Sequence, residues 1–101
     1  MVRLILRSQG PQQAVLEVHG WIWAAEAALV AQESSRLLGH SRSVVLQLDG
    51  VRFIDRAGLD VLEGLSGTRI ELRGGSPFVR SLLCSRGLQP GAEGGPGLGP
   101  R

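Results

Sequence analysis

The side chains that could do chemistry are few, and their spacing argues more for recognition than for catalysis. Asp49, Asp55 and Asp60 lie close in sequence, but nothing divides them into an acid and a base. Ser34, Ser35 and Ser85 have no base beside them to activate a hydroxyl. His19 and His40 share no ligand-like spacing with Cys84 or with a carboxylate pair, so neither a metal site nor a cofactor is expected. Cys84 is the single cysteine; it cannot form an intrachain disulfide and fits a reducing compartment. Its place near core positions of a helix predicts a buried thiol.

Two segments remain. Asp55-Arg56-Ala57-Gly58-Leu59 falls where an extended run gives way to a helical one. A helix N-terminus carries unpaired N–H groups and partial positive charge, which suits docking. Asp55 reads equally well as a binding determinant and as the helix cap. Arg56 is an exposed partner contact or a solvated arginine paired with Asp60 one turn on, and Gly58 lets another backbone come close. Trp21 and Trp23 are the only tryptophans of a chain with 4% aromatics, a composition that makes them candidates for an interface hot spot. One of the two is expected to be buried and the other partly exposed.

The elements that position these residues follow from periodicity and turn signals. Val2 to Arg7 and Ala14 to Val18 read as strands joined by the turn at Gly10-Pro11-Gln12-Gln13, hence an antiparallel hairpin. Ala24 to Leu38 is helical, with Ala27, Val30, Ala31, Ser34, Leu37 and Leu38 on one face, Leu29 exposed among the polar positions, and Gly39 a left-handed stop. Val44 to Leu48 is nearly all apolar, as a strand covered on both faces would be. Asp49-Gly50 signals a turn, Val51 to Ile54 is extended, and a helix from about Arg56 to Leu65 follows. Arg69 to Arg73 is a short strand ended by Gly74-Gly75. Ser76-Pro77 opens a last helix whose buried side is Phe78, Val79, Leu82 and Leu83. The order β-β-α-β-α-β-α implies a small α/β domain over residues 1–88, with a mixed four-stranded sheet packed with helices. Residues 89–101, almost entirely Gly and Pro, are expected to form a disordered tail.

Composition narrows the class. The 101 residues are 43% apolar with a net charge of +2, enough for one globular domain. All cations are arginines, and they are scattered rather than clustered, so nucleic-acid binding is not expected. No stretch could span a bilayer and the apolar start is too short for a signal peptide, so the reading is a cytoplasmic protein with no direct membrane insertion. No Gly-rich phosphate loop of recognised spacing is present, which ranks a nucleotide sensor last. In an open parallel sheet the loops beyond the strand C-termini are the default binding region, and Gly20 to Trp23 shares that edge with Asp55 to Leu59.

The run Val44-Val45-Leu46-Gln47-Leu48-Asp49-Gly50-Val51-Arg52-Phe53-Ile54-Asp55-Arg56-Ala57-Gly58-Leu59-Asp60-Val61-Leu62 resembles the STAS family, whose members include bacterial anti-sigma-factor antagonists. Gly20-Trp21 and Gly75 to Leu83 are similar to the family as well. The resemblance implies a non-enzymatic protein-binding module for signal transduction and transcription regulation, docking a serine kinase that is also the anti-sigma factor. It places the family's phosphoacceptor serine at Ala57, which has no hydroxyl, and its strand acidic residue at Gln47. The second helix is shorter than in typical members, and the Gly/Pro tail replaces the closing strand and helix. STAS-like domains without the acceptor also attach to ABC transporters, including lipid-trafficking ones, so an accessory subunit binding the ATPase is the alternative. On either reading the partner-binding residues are Asp55, Arg56, Ala57, Gly58, Leu59, Trp21 and Trp23.

Overall fold

The computed structural model describes residues 2–67 and 69–91. Its elements run β1 (Val2–Gln9), β2 (Gln13–Ile22), α1 (Ala24–Leu38), β3 (Ser43–Ile54), α2 (Arg56–Leu65), β4 (Ile70–Arg73) and α3 (Pro77–Cys84). The strands form one sheet in the order β1-β2-β3-β4. β1 pairs antiparallel with β2, whereas β2, β3 and β4 are parallel. This is the small mixed α/β architecture that the element order implied.

The helices cover one face of the sheet, not both. Ala14, Leu16 and Val18 of β2, Val44, Leu46 and Leu48 of β3, and Ile70 and Leu72 of β4 form a single core with residues of all three helices. A linear strand order with right-handed crossovers returns every connecting helix to the same side, which is why the doubly covered reading of β3 does not hold. The alternate positions form the other face, where Val15, Val45 and Gln47 lie beside Glu17, Glu71 and Arg73. Val45 is buried there without joining the helix-covered core. Near the hairpin, Glu17 bonds His19 Nε2 at 3.0 Å and meets Arg7 Nε at 3.4 Å. The hydrogen bond from His19 holds the Glu17 carboxyl below its ordinary value against the opposing effect of burial, with the charge of Arg7 adding to it.

Two strands run further than their hydrophobic runs suggested. β2 continues through Trp21 to Ile22, and β3 passes through Asp49-Gly50 without turning. The pairing of β2 with β3 shifts register at Glu17/His19 and again at Gly20/Trp21, each time with an extra residue on β3. The Asp-Gly signal therefore marks a bulge rather than a turn. A Cβ on Gly50 would lie 2.0 Å from His19 Nδ1, so a side chain there would have to displace the His19 ring.

The C-terminal end of α1 is satisfied by means other than a left-handed glycine, whereas α3 closes on one, Gly87 at φ 77°. Gly39 is right-handed at φ −73°, and its N–H donates to the Arg36 carbonyl. The Arg69 guanidinium donates to the carbonyls of Leu38 (3.1 Å), Ser41 (3.3 Å) and Arg42 (2.9 Å), closing the α1 terminus. In α3, Val79 and Leu83 are buried one turn apart, which turns Phe78 and Cys84 outward; both are exposed, contrary to the sequence expectation.

Residues 89–91, assigned to the tail, are placed against the domain. Gly91 forms a parallel bridge with Arg73, its N–H donating to the Leu72 carbonyl and its carbonyl accepting from Gly74 N–H, each at 2.9 Å. Arg80 reaches the Pro90 carbonyl at 3.2 Å and that of Gly74 at 3.3 Å. The rest of the expected tail, 92–101, lies outside the described residues. Among the described residues, no helix is long and apolar enough to cross a membrane.

Candidate partner-binding edge

β2, β3 and β4 end at one edge because they are parallel, so their outgoing loops converge there. Asp55 follows Ile54 at the end of β3 in extended geometry (φ −83°, ψ 179°), and its Oδ1 accepts from Gly58 N–H at 2.7 Å. It is thus the N-cap of α2, and its carboxylate is turned onto the helix terminus. Asp55→Ala is expected to lower stability by about 1 kcal/mol while Asp55→Asn loses only a few tenths. Urea unfolding midpoints of the two variants check this. Equal midpoints for Asp55→Ala and the parent would remove the cap and leave only a binding role.

Gly58 and Leu59 are buried and hold α2 against the sheet. A Cβ on Gly58 would meet the Ile22 carbonyl oxygen at 2.6 Å and Ile54 Cγ2 at 2.9 Å. The backbone that Gly58 admits is therefore the end of β2 in this same chain. Ala57 is half-buried and Arg56 exposed. Arg56 does not pair with Asp60; Arg86 takes Asp60 at 2.6 Å and Glu63 at 3.1 Å, fastening the end of α3 to α2.

Trp21 is 44% exposed and Trp23 42%, so neither is the buried member of the expected pair. Ile22 between them takes the core position, and alternation along β2 sends both rings outward. Trp23 caps α1 in extended geometry, its N–H donating to Glu26 Oε1 at 3.3 Å. The Arg52 guanidinium carbon lies 5.9 Å from the centroid of the Trp21 ring, a cation–π distance. Beside it, Val2, Arg3, His19, Gly20 and Trp21 line an open hollow of about 390 Å³.

Two members of the edge escaped the sequence reading. Phe53 is 5.5 Å from Trp23 between ring centroids, and 6.0 Å from Phe78 with planes 19° apart. The rings of Trp23, Phe53 and Phe78 thus form a row across the ends of the three parallel strands. With Trp21 they are all the aromatic residues of the chain. Their common placement, each within a few residues of a strand C-terminus, was the available signal. Among the described residues, no cluster of His, Cys, Asp and Glu is arranged to hold a metal.

Comparisons with known proteins agree with this architecture. The anti-sigma factor antagonist SpoIIAA in its unphosphorylated form superposes with a TM-score of 0.62 at 16% identity, over 92% of this chain and 89% of SpoIIAA. The Bacillus cell fate determinant SpoIIAA in the phosphorylated form gives a TM-score of 0.62 at 17% identity, over 98% and 92% of the two chains. A segment of Mglu is also similar, with a TM-score of 0.54 and 21% identity over 91% of this chain and 19% of Mglu. These likenesses concern the fold. No curated protein matches the sequence. Residues 5–83 match the STAS domain, and with this span covering most of the sequence, the chain belongs to the STAS domain family.

Proposed function

We propose that this protein is a non-enzymatic binding module of the anti-sigma-factor-antagonist kind, which docks a partner serine kinase or anti-sigma factor through the C-terminal edge of its sheet. The observation that carries the reading is the gathering of every aromatic residue at that edge, with Trp21, Trp23 and Phe78 each more than two-fifths exposed. Exposed aromatics concentrated in one place are a feature of interface hot spots. Arg56 and Ala57 flank the row at the start of α2, while Asp55, Gly58 and Leu59 fix the helix they stand on.

The docking surface works without a phosphate switch at residue 57. A phosphoryl group there would add about −1.5 to −2 charges at the α2 terminus, and alanine cannot carry it. The fold likeness to SpoIIAA, seen in unphosphorylated and phosphorylated forms, supports the docking reading, whereas Ala57 leaves no hydroxyl for a switch at that position. The same alanine also favours a second reading, an accessory subunit that binds the ATPase of an ABC transporter and needs no switch.

Purified protein mixed with an anti-sigma-type kinase domain and ATP is expected to co-elute with it and to remain unphosphorylated at residue 57. Ala57→Glu is expected to weaken the complex at least about tenfold, the effect of an unpaired charge placed in an interface. Failure to bind any such kinase from the same genome, or an unchanged affinity for Ala57→Glu, sinks the kinase reading. Co-purification with an ATPase subunit establishes the second.

A further inference from the structure

The balance of charge at the edge identifies the chemistry of the surface that covers it. Its carboxylates are turned onto backbone N–H groups of the protein itself. Asp55 accepts from Gly58 and Asp49 from Gly75 at 3.1 Å, while Glu26 accepts from Trp23. Its arginines have no such partners. Elsewhere Arg7, Arg36, Arg73 and Arg86 are paired with carboxylates, and Arg69 and Arg80 are bound to carbonyls; Arg42, just before β3 at the opposite end of the sheet, is a lone further cation without an ion pair among the described residues. Arg52 and Arg56 make no ion pair among the described residues, and neither does Arg3 beside Trp21. The edge therefore presents unmatched cations around an exposed apolar row.

We infer that the partner covers the Trp23–Phe53–Phe78 row with aliphatic side chains and presents carboxylates to Arg52 and Arg56. The inference rests on the reading of this edge as a protein-docking surface, and adds which chemistry the partner must carry. The rings supply apolar area that is already ordered by their mutual packing, at 5.5 and 6.0 Å between centroids. Flanking charges select the partner and speed encounter more than they add affinity. A single-stranded nucleic acid would also meet cations and rings, but its bases need open ring faces to stack on. Here Phe53 and Phe78 face one another, and Arg52 covers Trp21.

Trp21 and Trp23 are the only tryptophans, so intrinsic fluorescence reports on this edge alone. Three probes are titrated into the intact protein: an amphipathic peptide with Leu on one face and Glu on the other, the same peptide with Lys for Glu, and an oligothymidylate. The Glu–Leu peptide is expected to shift the emission to the blue and to bind at least about tenfold more tightly than the Lys–Leu peptide, with the preference shrinking as salt rises. Arg52→Ser combined with Arg56→Ser should abolish that preference with the circular dichroism spectrum unchanged, and Phe78→Ala should weaken both peptides. Equal binding of the two peptides, a saturable change with neither, or tighter binding of the oligothymidylate overturns the inference. The docking reading is tested separately with the kinase domain or the ATPase. If Trp23→Ala abolishes that complex and Arg52→Glu with Arg56→Glu leaves it intact, docking stands and the acidic partner falls. Loss of neither complex on any of these substitutions removes both.

Discussion

Gly58→Val is expected to destabilise the protein by about 3 kcal/mol, the upper part of the usual range for overpacking. The reason is the identity of the obstacle. The nearest atom to a new Cβ is the Ile22 carbonyl oxygen, at 2.6 Å, and backbone at the end of a central strand cannot swing aside as a side-chain tip would. Ile54 Cγ2 at 2.9 Å blocks the other direction, and Ile22 and Ile54 are both core residues. Relief requires α2 to lift from β2, which would also displace Leu59 and Leu62 from the core. Urea unfolding followed by far-UV circular dichroism measures the loss. Gly64→Ala on the same helix supplies the opposite sign: nothing lies within 4 Å of its would-be Cβ, and removing backbone freedom from an exposed helical position should stabilise by about 0.5–1 kcal/mol. Two glycines on one helix thus respond in opposite directions. Equal responses would mean that helix propensity, and not the contact with Ile22, sets the role of Gly58.

That contact shapes the candidate site as well as the stability. Ile22 lies between the two exposed tryptophans, and Asp55 N–H donates to the Ile22 carbonyl at 3.1 Å. The end of β2, the end of β3 and the first turn of α2 are therefore one rigid junction, to which Trp21, Trp23 and Phe53 are attached. A partner meeting this edge meets side chains held in place before binding, which reduces the ordering entropy of association.

The parts of this arrangement that depend on local chemistry were legible in the sequence. Ser76-Pro77 fixed the start of α3 because a cap and a first-turn proline act within a few residues. Asp55 capped α2 for the same reason, and the period of α1 gave both its bounds and the exposure of Leu29. What depends on partners distant in sequence was not. Asp49-Gly50 carries a turn signal, but pairing with β2 on one side keeps it in the strand as a bulge. Phe78 reads as a core residue by hydrophobicity alone; it is exposed because Val79 and Leu83 already occupy the buried stripe and Phe53 offers a stacking surface outside it. Arg86 chose Asp60 across 26 residues, leaving Arg56 without the neighbour that helical spacing offered. The aromatic row itself is assembled from three strand ends and has no contiguous signature.

Leu46→Ala is expected to produce the largest loss of all, about 2–5 kcal/mol, because it removes a fully buried side chain from a site that cannot collapse. Leu46 occupies the middle of β3, paired across the sheet with Leu16 of β2 and Leu72 of β4, and both of these are buried too. Its strand is flanked by hydrogen-bonded neighbours on both sides, so the backbone cannot move in to fill the space. With helices on one face only, this single core carries most of the apolar burial of the domain, and total stability for domains of this size is about 5–15 kcal/mol. The variant should therefore unfold at a much lower urea concentration, with the slope of the transition unchanged if the loss is confined to the native state. Leu29→Ala is the matching control: Leu29 is 51% exposed on α1, and its removal should shift the midpoint little. A small effect for Leu46→Ala would mean that the sheet rearranges around the cavity, and with it the strand ends that carry Trp21, Phe53 and Asp55.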